Sequence, residues 1–416
     1  MLKMAASLCA CLAIAGCLRE TSEPTAARKA PGSSLVLSAP VNVTGDFARE
    51  PMVVEHPNGA LFVAGYGNPL PRLWRSGDGG TTWSTVDVGS EADGAAGNSD
   101  VDLAVARDGT LYFVAMTFDR AKGEGTRIAI GVTRDAGTTW AWTTLSRTRY
   151  DDRPWVEVAP DGTAHVIWND GNGVSYARSR DGGRTWQERP RIHPQGLSSH
   201  LAVGPSGEVA VRITPVSASG NRNHPAVDLV AVSRDAGVTW VKHPAPGQRV
   251  FTFPFDDNDP TFRWVEPLAW DSAGRLYYFW TDPAGLWLAG SIDSGAQWRT
   301  WQIAEGGEHS HFPYLVARGA GQLAATWFSG RREHLQIHVA RIDLTGAESP
   351  KMTVAPPFSP DSWQRGQKPG EPRHRDAAGE YAPVAFLRDG RIAVVSTIQD
   401  DQQKRFGFSW RTGAAR

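Results

Sequence analysis

Seven short hairpin patterns run along the chain, each with apolar and β-branched residues on both sides of a tight turn. The first reads EPMVVEHPNGALFVAG and the last reads APVAFLRDGRIAVVS. Their turn glycines are Gly59, Gly109, Gly162, Gly207, Gly274, Gly321 and Gly390. Apolar runs around NG, DG or SG turns predict β-hairpins, and no stretch has the apolar period of a helix. The sequence therefore predicts an all-β chain.

A second pattern, an eight-residue turn that ends in an aromatic residue, follows five of the hairpins. Its copies are SGDGGTTW, TRDAGTTW, SRDGGRTW, SRDAGVTW and SIDSGAQW, with the aspartates Asp78, Asp135, Asp181, Asp235 and Asp293. Self-similarity at this spacing indicates a repeat architecture. An Asp side chain can hold the amides of its own turn, and Gly allows a backbone conformation that a β-carbon disfavours. We therefore interpret the five aspartates as structural rather than catalytic.

The hairpins and turns together predict repeated units of four strands. In the sixth unit, residues 336–342 supply a third strand, and the turn at 343–346 has lost the tryptophan. The seventh unit has no fourth strand of its own, so a strand near residues 35–43 is expected to supply it and close a ring without an exposed edge. This predicts a β-propeller of seven four-stranded blades, with six blades as the alternative if one hairpin is an insertion.

The turn SxDxGxTW resembles the Asp-box, or BNR repeat, of the sialidase superfamily. Its copies span most of the chain. The resemblance implies a single sialidase-like propeller domain over residues 34–416 and a function directed at glycans.

The N-terminal residues predict export rather than a part of the fold. Residues 1–16 hold a basic residue and a short apolar run, and Ile14-Ala15-Gly16-Cys17 resembles a bacterial lipobox. We expect cleavage before Cys17, a lipid on Cys17, and a flexible tether over residues 17–33. The chain would then sit at the bacterial cell envelope, held to the membrane by the lipid alone. The alternative is an ordinary secretory signal with an incidental cysteine.

Composition narrows the choice of partners. The chain has 43 basic and 44 acidic residues and no basic run with interleaved aromatic residues, so nucleic acid is an improbable partner. No interface pattern stands out, and we expect a monomer. No cofactor is required. Asp256, Asp257 and Asp259 could bind calcium, but three acids do not complete its coordination shell.

Chemistry is expected on the face opposite the hairpin turns. There the first strands begin and the second strands end, and long loops on a rigid scaffold often carry function. The polar residues expected at this mouth are Arg49, Glu50, Asp100, Asp102, Asp151, Asp152, Arg153, His200, Arg263, Glu266, His309, His311, Glu380 and Tyr381, with Asp119, Asp170, Asp282, Arg331 and Arg332 at the strand ends.

The sialidase resemblance assigns roles to some of these residues. Arg49-Glu50-Pro51 resembles the arginine segment that opens a sialidase, and Tyr381-Ala382-Pro383-Val384 resembles the segment around the nucleophilic tyrosine. Glu266 matches the glutamate that serves as the base of the tyrosine. The loop at residues 66–72 (YGNPLPR) lacks the expected acid, so Asp102 or Asp119 would replace it.

Substrate contacts are expected from a further set of side chains. Arg49 and Arg331 would clamp an anionic group, because a guanidinium matches a carboxylate. Arg153 and His311 are added as substrate-binding candidates at the same mouth. For each residue alone, a structural role at the rim is the competing interpretation.

Three functions therefore compete. The first is a retaining exo-glycosidase of the sialidase type, with Tyr381 as nucleophile. The second is a noncatalytic propeller that binds a glycan or a partner protein through the same mouth. The third is a polysaccharide lyase, in which Tyr381 and a histidine would transfer protons.

Overall fold

The structure is a computed structural model that describes residues 25–26, 28–29, 34–44, 48–67, 69–215, 226–248, 250–251, 266–305, 310–330, 336–346, 348–359, 382–400 and 405–415. The strands form seven antiparallel blades, so the predicted all-β propeller is confirmed and the six-bladed alternative is wrong. The first strand of each blade contacts the first strand of the next, and that of blade 7 contacts blade 1. The blades therefore form a closed ring around a central channel.

Blades 1 to 4 each consist of four strands from consecutive sequence. Blade 1 contains Arg49–Glu55, Leu61–Tyr66, Arg72–Ser76 and Ser84–Thr85. Blade 2 contains Val101–Val105, Leu111–Asp119, Glu124–Thr133 and Ala141–Ser146. Blade 3 contains Asp151–Val158, Ala164–Asp170, Val174–Ser179 and Gln187–His193. Blade 4 contains Leu197–Val203, Val209–Thr214, Leu229–Ser233 and Val241–Pro244.

The remaining blades also take strands from the N-terminal region. Blade 5 contains Leu268–Trp270, Leu276–Asp282, Gly285–Ser291 and Arg299–Glu305. Blade 6 contains His311–Arg318, Gln322–Ser329, Gln336–Asp343 and Lys351–Val354. Blade 7 contains Val384–Phe386, Ile392–Asp400 and Arg405–Ala415, with Leu35–Leu37 and Val41–Thr44 on its outer edge.

Two short segments inside the predicted tether also pair with the propeller. Thr25–Ala26 runs parallel to the outer strand of blade 5, and Arg28–Lys29 runs parallel to the outer strand of blade 6. Cys17 and the rest of residues 1–24 lie outside the described residues. The lipid anchor stays a prediction.

Little else interrupts the blades. A two-stranded ladder joins Ala226–Val227 to Val250–Phe251, and a 3-10 helix spans Glu91–Asp93, where the side chain of Ser90 caps the turn. No helix within the described ranges is long and apolar enough to cross a membrane.

Blades 1 to 5 each carry an Asp-box turn whose aspartate binds the backbone of its own turn. In blade 1, Asp78 Oδ1 accepts hydrogen bonds from the amides of Thr81 and Thr82, at 3.0 and 2.9 Å. Its other carboxylate oxygen accepts the Thr82 hydroxyl at 2.6 Å, and these bonds lower the pKa of Asp78 to about 2. Asp135, Asp181, Asp235 and Asp293 hold equivalent turns. These carboxylates are committed to backbone amides and are poorly placed to move protons.

Candidate functional site

The mouth of the channel is built from strained bulges. In blades 1, 3, 4 and 6 the register of the first strand shifts near its start. Each bulge has one non-glycine residue with positive φ: Glu50 at 54°, Arg153 at 47°, His200 at 63° and Phe312 at 47°. Residues other than glycine rarely adopt this backbone conformation, and those that do are concentrated at functional sites.

Aromatic rings from these strands cross the channel just inside the bulges. The Trp155 ring stacks on His200 at 4.3 Å between centroids, and His200 meets the edge of the Tyr314 ring at 5.1 Å. Tyr314 reaches blade 1, where its hydroxyl lies 3.7 Å from the sulfur of Met52. Side chains of blades 3, 4, 6 and 1 therefore form one continuous layer, which we call the aromatic floor (Trp155, His200, Tyr314 and Met52).

The floor is a low-dielectric environment. His200 is buried, and burial lowers its pKa to about 3, so the imidazole is neutral at pH 7. The pKa of Tyr314 is raised well above its usual value, first by burial and then by the charges of Asp102 and Glu157. Both rings are therefore uncharged near neutrality.

Two carboxyl groups lie beside this floor. Asp102 is buried and accepts hydrogen bonds from its neighbour Leu103 N, at 2.8 Å, and from Val156 N of blade 3, at 2.9 Å. Burial, reinforced by the charge of Glu157, raises the pKa of Asp102. Glu157 is solvent-exposed, two residues closer to the hairpin turn than Trp155, and enclosure by the channel walls raises its pKa to about 7.

Glu266 lies beneath the protein surface, between blades 4 and 5, rather than on the surface of the mouth. It is fully buried, and its Oε2 accepts hydrogen bonds from Tyr278 Oη at 2.5 Å and from Arg212 Nη2 at 3.2 Å. The same Arg212 nitrogen lies 3.1 Å from Asp228 Oδ2. These residues form a buried ionic network between blades 4 and 5. Glu266 as the base of a nucleophile stays a prediction to which this geometry adds no support.

The other described candidates lie around the mouth. The Arg49 guanidinium is 5.8 Å from the centre of the Tyr66 ring. Arg153 is buried beside Asp152, with 3.8 Å between Nε and Oδ2. His311 stacks on Phe328 at 5.8 Å. Asp119 caps its own turn and pairs with Lys122 at 2.8 Å, an arrangement that lowers the pKa of Asp119.

Several predicted residues lie outside the described residues. They are the mouth candidates Arg263, His309, Arg331, Arg332, Glu380 and Tyr381 and the three calcium candidates Asp256, Asp257 and Asp259. Within the described ranges, no group of three or more His, Cys, Asp or Glu side chains has the arrangement of a metal site.

The sequence did not predict which residues from different blades come together at the floor. Trp155, Tyr314 and Glu157 were not among the candidates. A signal was present, because Arg153-Pro154-Trp155 and Phe312-Pro313-Tyr314 share the order of a bulged residue, a proline and an aromatic ring. Three of the four bulged residues precede proline.

Comparisons with known proteins show the fold. No family model and no curated protein matches the chain. The solved structure of YCF48 bound to a D1 peptide matches with a TM-score of 0.51 and 14% identity, over 94% of this chain and 98% of that one. A GH74 xyloglucanase from Xanthomonas campestris matches with a TM-score of 0.51 and 16% identity, over 89% of this chain and 55% of that one. A Hadza microbial sialidase matches with a TM-score of 0.46 and 16% identity, over 74% and 65%.

At these identities the matches establish a shared propeller fold. It is the fold that the resemblance to the sialidase superfamily implied. The matched structures include glycoside hydrolases and a propeller solved with a bound peptide, so the fold alone does not choose between chemistry and binding.

Proposed function

We propose that the channel mouth binds a glycan that carries an acidic sugar. The observation that carries the proposal is the aromatic floor, which places Trp155, His200 and Tyr314 side by side beneath the opening. Sites for small molecules are typically apolar and aromatic, with a few polar groups that fix orientation. Trp155 and His200 are buried in this floor and support Tyr314, which is partly exposed. A sugar ring would contact Tyr314 while its hydroxyl groups face the polar rim.

The rim favours an anionic sugar. Arg49 is partly exposed above Tyr66 at the first bulge. A guanidinium donates two parallel hydrogen bonds to a carboxylate. Glu50 and Asp152 stand next to Arg49 and Arg153 in the sequence. We therefore expect the rim to fit a sugar that has one carboxylate for an arginine and several neutral hydroxyl groups for the acidic residues.

The second candidate is hydrolysis of such a glycan by a retaining, sialidase-type mechanism. One observation supports it: Ala382, which follows Tyr381 in the sequence, is buried in the ring where its carbonyl accepts the hydroxyl of Thr326 at 2.5 Å. In this proposal Tyr381 is the nucleophile, Arg49 and Arg331 bind the carboxylate, and Asp102 or Asp119 donates the proton. The raised pKa of Asp102 suits a proton donor.

Binding is tested by saturation-transfer NMR with sialyllactose and with lactose. We expect signals from the sialic acid ring in the presence of the protein, and a much weaker response for lactose. Arg49→Met should weaken sialyllactose binding at least tenfold, whereas the matched variant Arg75→Met, in the same blade at the opposite face, should bind as the unaltered protein does. Equal binding of both sugars would contradict the acidic-sugar proposal.

Catalysis is tested separately with a panel of aryl glycosides that includes a sialoside. Release of the aryl group that is lost in Tyr381→Phe would support the tyrosine mechanism. An unsaturated product that absorbs in the ultraviolet would indicate a lyase instead. Binding without turnover would leave the mouth as a glycan-recognition site and rule out the second candidate.

A further inference from the structure

Asp-box turns fill the junctions between neighbouring blades. Gly183 of the blade 3 turn packs so closely on blade 2 that an added β-carbon would lie 2.6 Å from Val132 and 3.1 Å from Tyr112. The Trp186 ring of the same turn meets the Tyr112 ring edge-on at 6.3 Å. The turn of blade 4 packs on Tyr176 of blade 3, and the turn of blade 1 packs on Trp410 of blade 7.

The junction between blades 5 and 6 lacks this filling. Blade 6 has the short turn at residues 343–346 in place of an Asp-box. That turn bonds to its own hairpin, because Leu344 N donates to Gly321 O at 2.7 Å and Thr345 Oγ1 donates to Ala320 O at 2.9 Å. The turn still contacts blade 5, because the buried Leu344 packs in one cluster with Tyr277 and Trp301, and Trp301 Nε1 donates to Glu348 O at 3.0 Å. This shorter turn covers only part of the junction, since Leu344 lines a cavity together with blade 5 residues.

A cavity of about 490 Å³ occupies the vacant place, and we call it the junction slot. It is lined by Arg275, Tyr277, Gly290, Ile292, Arg299 and Trp301, among others. Tyr277 pairs with Gly290 one position before Ser291, and Tyr112 pairs with Val132 one position before Thr133. Tyr277 and Gly290 are thus the counterparts of the two residues on which the blade 3 turn packs.

The residue before the aspartate in blade 5 differs from its counterparts in blades 2 and 4. In blade 2 the corresponding Arg134 donates to Gly182 O of the next turn, and in blade 4 Arg234 donates to Ser294 Oγ at 2.7 Å. In blade 5 this position is Ile292, which is 85% exposed. An exposed isoleucine beside the slot offers an apolar contact to a ligand. An arginine at this position would have no Asp-box turn to bind, because blade 6 does not have one.

The charges of the slot favour an acidic ligand. Among the described residues, neither Arg275 nor Arg299 lies within ion-pair distance of a carboxylate. Arg299 lies over the Trp301 ring at 5.6 Å. The one acid in the lining, Asp293, is occupied by Ser291 Oγ at 2.8 Å and Gln297 N at 2.9 Å.

We propose that the junction slot binds a turn of a partner protein that presents an aromatic side chain next to an acidic residue. The Asp-boxes of blades 1, 3 and 4 place an aromatic ring against the preceding blade. The slot offers a tyrosine and tryptophan wall for such a ring and two arginines for the acid. This site lies on the face opposite the mouth, so glycan binding and partner binding use separate surfaces.

The test uses the purified chain and a blocked synthetic peptide, SGDGGTTW, which copies residues 76–83. Peptide-detected NMR should show binding with a dissociation constant below about 1 mM, and replacement of the peptide tryptophan by alanine should abolish it. Ile292→Ser and Arg299→Glu, both at exposed positions, should each weaken binding at least tenfold. The matched controls Val238→Ser and Arg184→Glu, at exposed positions of filled Asp-box turns, should leave binding unchanged.

Three results would overturn the proposal. The first is that the protein, with a normal unfolding transition, shows no binding at about 1 mM peptide, the weakest affinity that the proposal allows. The second is binding that persists in both slot variants. The third is concentration-dependent dimerisation that Arg299→Glu abolishes, which would assign the slot to a second copy of this chain.

Discussion

At the scale of single residues, the two adjacent glycines of an Asp-box have different tasks. Gly182 has φ of 71°, and a β-carbon there would meet only the mobile end of Arg134. The equivalent positions hold Ala136 and Ala236, both with φ near 55°. Gly183 has φ of 79° and faces Val132 and Tyr112 directly. Glycine at the first position is therefore favoured only by the backbone conformation. Glycine at the second position is also required because a side chain there would collide with blade 2.

Substitution by alanine separates these effects. Gly182→Ala should lower the free energy of unfolding by about 1 kcal/mol, the cost of a left-handed alanine. Gly183→Ala should lower it by about 2–5 kcal/mol, because crowding adds to the same backbone cost. Chemical denaturation of the two variants checks this, and equal losses would show that space at the second position is not limiting.

The neutral histidine of the floor gives a pH dependence. The usual pKa of 6.5 holds for the unfolded chain, whereas burial keeps His200 near 3 in the folded state. Below pH 6.5 the unfolded chain binds a proton that the folded chain does not, so the free energy of unfolding falls as pH decreases. His200→Phe should reduce the loss of stability between pH 7.5 and 5.0, measured by urea denaturation. His243→Phe, on the outer strand of blade 4, is the control, and an unchanged pH slope in His200→Phe would contradict the assignment.

At the scale of elements, blades 4 and 5 are joined by the buried network of Arg212, Asp228 and Glu266. Removing one partner of a buried ion pair leaves an uncompensated charge, at a cost of about 3–5 kcal/mol. Glu266→Gln should therefore destabilise the protein by about 3 kcal/mol, while the surviving folded protein binds sialyllactose normally. Glu208→Gln, in the hairpin turn of blade 4, is the matched control. Loss of glycan binding or turnover at unchanged stability would instead give Glu266 a role in the mouth.

The elements also show what sequence could predict. Hairpins and Asp-box turns are local, because each aspartate binds amides three or four residues away, so a single stretch of sequence specifies them. The network of Glu266 depends on Arg212, 54 residues earlier, and the aromatic floor combines residues from four blades. Neither could be predicted without the relative placement of the blades. The same holds for the junction slot, although the missing tryptophan was visible in the sequence.

At the scale of the whole molecule, the N-terminal strand closes the ring. Leu35–Leu37 pairs with residues 413–415, and Val41–Thr44 pairs along residues 408–410. This was predicted from the sequence, because a seven-bladed ring with only three C-terminal strands in its last blade needs a fourth strand from elsewhere. Without it, the strand Arg405–Ala415 would expose an unpaired edge.

Two truncations test the closure. Removal of residues 1–44 should lower the melting temperature markedly and promote aggregation through the open edge. Removal of residues 1–33 keeps both closing strands and deletes only the short pairings on blades 5 and 6, so its melting temperature should stay close to that of the full chain. Similar melting temperatures for the two truncations would contradict ring closure as a source of stability.

The central claim is that the mouth, with its aromatic floor, is the glycan site. Hydrogen–deuterium exchange of the full chain with and without sialyllactose tests it most directly, because it reports where the ligand acts. We predict slower exchange in the peptides that contain the four bulges at Glu50, Arg153, His200 and Phe312, and no change at residues 291–299 on the opposite face. Protection confined to the opposite face, or none at saturating ligand, would contradict the account.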